Sequence, residues 1–322
     1  MRLRAIVHML RPGYLLPILA IFTAVRMGIV YPVFRAAELP DPLTWPMWTC
    51  LLLACLLVAA GSSVINDYFD QQEDRTVRPE VVAVGRYLSR RQAIRLHSIL
   101  SFLAILLAVY PSLAVGRIAY VLFFPVSAGL FWFYSTLYKD QFLVGNLQLA
   151  FMAFALPFVM VAYQVQAVEV FLWREVAFHQ LSIEGMWSST LAYGVALGLL
   201  VLSLTLVRNC RHFASGADLG AETLPVRMGM RSAKLTIAIG LFVLMLAFLL
   251  AGAWVSIAHP VTAWRWAPLA YSGGAVCLPL LIACFNLLVS EKAKQFRISE
   301  IFILTGTWAL ILYPLAQVFL LS

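Results

Sequence analysis

Four residues between positions 66 and 74 carry the densest chemistry in the chain. Asn66, Asp67, Asp70 and Asp74 are spaced as N-D-x-x-D-x-x-x-D. If a helix runs on through them, positions 67, 70 and 74 share a face, because i, i+3 and i+7 align. Three carboxylates on one face repel each other unless a cation sits among them. Hard oxygen ligands at this density suit Mg²⁺, which takes one or two carboxylates together with phosphate oxygens. Arg75, Arg78, Arg86, Arg90 and Arg91 follow in the same segment and offer guanidinium forks that pair with phosphate. The expected chemistry is an Mg²⁺–diphosphate site. The plainer alternative is a solvated loop whose acids and arginines pair with each other or with lipid headgroups.

The elements that must hold these residues are set by composition. Hydrophobic residues make up 62% of the 322 and charged residues only 12%, against roughly 45–50% and about 25% in soluble domains. With a mean hydropathy of +0.89, no water-soluble surface can be built, so the chain is read as an integral membrane protein. Disorder, a disulfide scaffold and a nucleic-acid-binding module are excluded on the same ground. Cys50, Cys55, Cys277 and Cys284 fall in apolar runs and Cys210 has no CxxC neighbour, which suits incidental thiols rather than a metal site.

A spanning helix needs about 20 mostly apolar residues. Nine stretches qualify, near 13–34, 46–66, 93–111, 115–137, 143–163, 188–208, 234–257, 267–290 and 299–321. They are too long and continuous for barrel strands, so the fold class is all-α. The third and fourth are expected to form a tight hairpin around Pro111. The segment 164–187, with Phe171, Leu172, Trp173 and Phe178, reads as the longest outer loop with a helix lying in the interface. Placing the N-terminus and the loops after spans 2, 4, 6 and 8 on one side collects 18 of the 23 basic residues there. That bias marks the basic face as cytoplasmic and puts the C-terminus outside.

The residues also have a family look. The run from Asn66 to Arg91 resembles the UbiA-type intramembrane prenyltransferases, in which N-D-x-x-D-x-x-x-D is followed by R-x-x-R-P and a downstream Gly-Arg run. LRPGYLL at 10–16, FWFYSTLYK at 131–139 and TLPVRMG at 223–229 are similar to other elements of that family. The likeness extends over essentially all of 1–322, taken as a single transmembrane domain. It implies a ring of nine helices around a central cavity that opens to the cytoplasm, with loops 67–92 and 209–233 forming the polar mouth.

The resemblance further implies Mg²⁺-dependent transfer of an isoprenyl group from a prenyl diphosphate, of C15–C20 length or longer, to a lipophilic acceptor in the membrane lipid. Asn66, Asp67, Asp70 and Asp74 would hold Mg²⁺ and diphosphate. Arg78 and Lys139 would contact diphosphate oxygens, with Arg86 beside them, and Tyr134 or Tyr138 would orient the leaving group or shield the cation. For the tyrosines an interfacial anchor is the bland alternative. The family's second acidic pair is rewritten here. In RNCRHFASGADLGAETLPVRMG, residues 208–229, the corresponding positions are His212 and Gly216. Asp218 lies two residues out of register as a metal ligand, and Arg208 and Arg211 are candidates to replace the missing charge.

Two functions therefore stand side by side: an active prenyltransferase with one complete acidic motif, or a lapsed family member that binds a lipid diphosphate or a membrane partner. A secondary transporter has less support, since the spans are read as lacking buried acids and paired broken helices. The segments 81–91 and 131–150 most resemble bacterial geranylgeranylglycerol-phosphate geranylgeranyltransferase-like members, which makes geranylgeranylglycerol phosphate one acceptor and leaves quinone-ring acceptors open.

Overall fold

The computed structural model describes residues 7, 9–71, 84–172, 181–218, 220–258 and 265–321. Among them are nine helices long and apolar enough to cross a membrane. These are α1 (Pro12–Ala36), α2 (Trp45–Phe69), α3 (Arg90–Ala114), α4 (Ile118–Tyr138) and α5 (Val144–Phe171). They continue as α6 (Ile183–Arg211), α7 (Met230–Ala258), α8 (Ala267–Val289) and α9 (Ala293–Phe319). No strand occurs among the described residues. The fold is all-α, and the chain is an integral membrane protein.

Three boundaries differ from the sequence reading. Pro111 does not break the chain between spans 3 and 4. It lies inside α3, which runs on to Ala114; the chain then turns at Gly116, φ 66, where glycine tolerates the left-handed conformation. The stretch 164–171 is no interfacial helix: it is the far end of α5, and Trp173 and Phe178 lie outside the described residues. Helix α2 stops at Phe69 rather than carrying all the acids, with Asp70 at its cap and Asp74 outside the described residues.

The chain divides into two compact units. The first comprises 1–26, 33–139 and 156–188, and is organised by α2 against α3. On α3, Ala93, His97, Ala104, Ala108 and Ser112 are buried, while Ile99, Phe102, Leu106, Tyr110 and Leu113 are exposed. The arrangement inverts a soluble helix: small residues pack inward and large apolar ones face out, as lipid tails permit. A carbonyl can only accept, so the 3.0 Å contact of His97 Nδ1 with Gly61 O fixes the proton on Nδ1 and ties α3 to α2.

Helix α3 begins with a reciprocal cap: Gln92 N donates to Ser89 Oγ, and Ser89 N donates to Gln92 Oε1. The turn before it closes by Gly85 N donating to Leu88 O. Val84 and Leu88 then join Met9, Val64 and Ala93 in one buried cluster at the end of α2. Farther along α1, the buried Arg26 donates to Asp41 Oδ2 and to Leu43 O, each at 2.8 Å. Gln164 of α5 donates to Asp41 Oδ1, and the Arg26 guanidinium lies 4.2 Å from the Trp45 ring. These bonds pin the loop between α1 and α2.

The second unit comprises 27–32, 140–155 and 189–322. It is built on α8 against α9, with α7 packed on α8. Close approach here depends on small residues. A Cβ at Gly198 of α6 would sit 2.9 Å from Ala150 O on α5 and 3.2 Å from Phe154 Cβ.

Candidate functional site

In the first unit, the last turn of α2 delivers Asn66 and Asp67, and the cap delivers Asp70. Asp70 closes the helix by donating its N–H to Asn66 O at 2.9 Å, at φ −75, ψ 0. The Asn66 side chain donates to Asp70 Oδ2. One amide and two carboxylates thus converge at a single helix end. Asp67 is only 9% exposed, so its charge requires a partner in place.

Two cations from distant segments supply that compensation. Arg11 Nη2 reaches Asp67 Oδ1 at 2.5 Å. Arg11 adopts φ 46, ψ 61 immediately before α1, and Pro12 follows at the first helical position, where no backbone donor is needed. Lys139 Nζ reaches Asp70 Oδ1 at 2.5 Å. Lys139 follows a wide turn, Tyr134–Tyr138, that closes with Lys139 N donating to Tyr134 O at 3.0 Å, an i to i+5 bond. Such turns are frequent at functional sites. Here Ser135 also faces α2, its Oγ 3.5 Å from Asn66 Oδ1 while it donates to Phe131 O at 3.0 Å.

The structure thus brings together Asn66, Asp67, Asp70 and Lys139, and adds Arg11 and Ser135, which the sequence reading did not place at the site. The Arg-Pro pair at the start of α1 was the available signal for Arg11. Tyr134 lies in the wide turn itself, half-buried, while Tyr138 packs against Phe133 with ring centroids 6.2 Å apart. Arg86 is exposed and lies over the Tyr87 ring at 5.2 Å, and Arg90 covers Tyr68 at 4.6 Å. Arg78, like Asp74, lies outside the described residues.

The donor set fits a hard cation, since two carboxylates and an amide oxygen are all oxygen ligands. No group of three or more His, Cys, Asp or Glu able to hold a metal occurs among the described residues. An Mg²⁺ ion held by Asp67 and Asp70 would complete its shell with phosphate oxygens and water, the usual habit of that ion.

In the second unit, the end of α6 and the loop after it form their own polar cluster. Arg208 Nε donates to Glu300 Oε1 at 2.5 Å, and Arg211 Nη1 donates to Glu300 Oε2. Arg211 also contacts His212 Nε2. Glu300 lies on α9 and is 6% exposed, which corrects the expectation that the spans lack buried acids. Asn209 donates to Asn146 of α5 at 3.0 Å. The loop continues through a short helix, Phe213–Asp218, at whose end Asp218 is exposed, and a second, Leu224–Met228. Glu222 N donates to Asp140 O, which folds the loop back.

Residues 18–312 match the model of the UbiA prenyltransferase family. No curated protein matches the chain. Among solved structures, a UbiA homolog from Aeropyrum pernix K1 is 15% identical, with a TM-score of 0.60, over 92% of this chain and 97% of its own. A UbiA homolog from Archaeoglobus fulgidus, bound to DMAPP and Mg²⁺, is 17% identical with a TM-score of 0.58, over 95% and 98%. A structure concerned with digeranylgeranylglyceryl phosphate synthase in membranes is 16% identical with a TM-score of 0.59, over 98% and 99%. At these identities the likeness is one of fold.

Proposed function

The chain belongs to the UbiA prenyltransferase family, and from that membership we propose that it transfers an isoprenyl group from a prenyl diphosphate to a lipophilic acceptor. The observation that carries this reading is the convergence of Asn66, Asp67 and Asp70 at one helix end with Arg11 and Lys139 upon them. Asp67 and Asp70 would hold Mg²⁺, with Asn66 beside them and Asp74 as a further ligand. The ion, when bound, neutralises charge developing on the departing pyrophosphate.

The chain's own residues do the rest of the electrostatic work. As the allylic C–O bond breaks, its electron pair passes to the pyrophosphate oxygen. Lys139 and Arg11, held at the carboxylates, present positive charge where that oxygen's charge grows. Arg78 and Arg86 add diphosphate contacts from the loop, and Tyr134 or Tyr138 shields the allylic cation. The acceptor's nucleophile then bonds to the same carbon and loses its proton. The positive-inside bias supports a cytoplasmic site, a cytoplasmic N-terminus and an outer C-terminus. Geranylgeranyl diphosphate and geranylgeranylglycerol phosphate are the donor and acceptor that the sequence resemblance favours.

A second reading has one observation behind it. His212 and Gly216 stand where the resemblance calls for an acidic pair, and Asp218 is exposed at a helix end. On that reading the protein would be a lapsed enzyme that binds a lipid diphosphate or a membrane partner without transferring the prenyl group. Incubating purified protein with geranylgeranyl diphosphate, Mg²⁺ and a panel of acceptors, followed by mass spectrometry, separates the two. A prenylated product supports the transferase; retained donor without product supports the lapsed form.

A further inference from the structure

Glu300 is a buried carboxylate in a membrane-spanning helix, an expensive placement that calls for a function and a named partner. It has two partners. One oxygen takes Nε of Arg208 and the other takes Nη1 of Arg211. Its side chain is 7% exposed, whereas those of Arg208 and Arg211 are 32% and 23% exposed. The carboxylate is therefore sequestered, while both arginine side chains stay partly exposed, Arg211 also meeting His212 Nε2 through Nε and Nη2. Arg208 and Arg211 lie three residues apart at the end of α6, so they share a face.

The platform beneath them is fixed from two sides. Asn209 is bonded to Asn146 of α5. The start of α9 is tied to α8, because Ser299 donates to Asn286 Oδ1 at 2.8 Å. Two arginines against one glutamate leave a net positive charge. A planar fork with its orientation set in advance is suited to phosphate oxygens.

We infer that Glu300 is a positioning residue that holds Arg208 and Arg211 as a phosphate-binding arm in the second unit, in the loop whose acidic pair has been rewritten. The inference rests on the proposed prenyl transfer and deepens it by naming the chemistry this loop recognises. The phosphate is carried either by a prenyl diphosphate or by a phosphorylated acceptor. Recognition by arginine in place of acid plus metal makes this arm independent of Mg²⁺.

The test measures binding of geranylgeranyl diphosphate and, separately, geranylgeranylglycerol phosphate to the full chain in nanodiscs, with and without Mg²⁺. Wild type, Glu300→Gln, Glu300→Asp and Arg211→Gln are compared, with thermal unfolding as the folding control and product formation followed in parallel. Loss of an oriented charged hydrogen bond should weaken one probe by about tenfold or more in Glu300→Gln and Arg211→Gln. Glu300→Asp should recover part of that loss. The probe affected identifies the source of the phosphate, and the effect should persist without Mg²⁺.

Unchanged or tighter binding of both probes in a folded Glu300→Gln overturns the inference. So does an effect that vanishes when Mg²⁺ is removed. Should Glu300→Gln not fold, Arg211→Gln decides on the same criteria. Turnover by wild type with no effect of these variants defeats the inference and leaves the transferase standing. Weakened binding with no product from wild type defeats the transferase and leaves the arm standing.

Discussion

Lys139 Nζ lies 2.5 Å from Asp70 Oδ1, so the base that ends α4 and the acid that ends α2 neutralise each other. The wide turn before Lys139 makes this possible by advancing the helix register, so that Ser135 and Lys139 both face α2. Lys139→Met should lower turnover by roughly 10²-fold, the scale of losing one preorganised charge at a developing anion. Lys139→Arg should retain part of the activity, because the charge remains while its reach changes. Steady-state rates with geranylgeranyl diphosphate check both; unaltered turnover in Lys139→Met would remove Lys139 from the site.

Arg11 and Asp67 should behave as a coupled pair in folding as well. With Asp67 only 9% exposed, removing Arg11 leaves a carboxylate with poor solvation. A double-mutant cycle on Arg11→Gln and Asp67→Asn, read by unfolding in detergent, should give a coupling of about 1–3 kcal/mol. Additive effects would mean that the two side chains do not interact in the folded protein.

What could be read from the chain alone follows from the range of each signal. Nine spans were legible because lipid demands about 20 apolar residues in a row, and Asn66, Asp67 and Asp70 because their spacing is local. Pro111 misled because a proline in a membrane helix can be accommodated within it. Residues 164–171 misled because Gln164, Gln166 and Glu169 look like a loop. In the structure they hydrogen-bond as part of α5, to Asp41 and Arg117 among others. Partners far apart in sequence carry no local mark: neither Arg11 on Asp67 nor Glu300 on Arg208 and Arg211 shows in any spacing.

The Arg26–Asp41 pair should be costly to break on one side only. Arg26 makes two bonds at 2.8 Å and is 4% exposed. Arg26→Met should destabilise the protein by about 3–5 kcal/mol, since it leaves Asp41 without its counter-charge. Adding Asp41→Asn should recover much of that loss. Unfolding midpoints of the single and double variants decide it; a double variant no more stable than Arg26→Met would show that the cost lies elsewhere.

Gly198 should matter for packing and not for chemistry. A side chain there meets Ala150 O at 2.9 Å from its first carbon, so Gly198→Leu must push α5 and α6 apart. Overpacking of this kind costs about 1–3 kcal/mol. The unfolding midpoint should fall, while the affinity for geranylgeranyl diphosphate at permissive temperature stays near that of wild type.

The most direct measurement is pyrophosphate release from geranylgeranyl diphosphate by purified protein in nanodiscs with an acceptor present. It compares wild type with Asp67→Ala and Asp70→Ala, each with Mg²⁺ and with chelator. The expected result is release by wild type that requires Mg²⁺ and is abolished in both variants. Release that persists in folded Asp67→Ala and Asp70→Ala, or that ignores chelation, would contradict a diphosphate site at the end of α2.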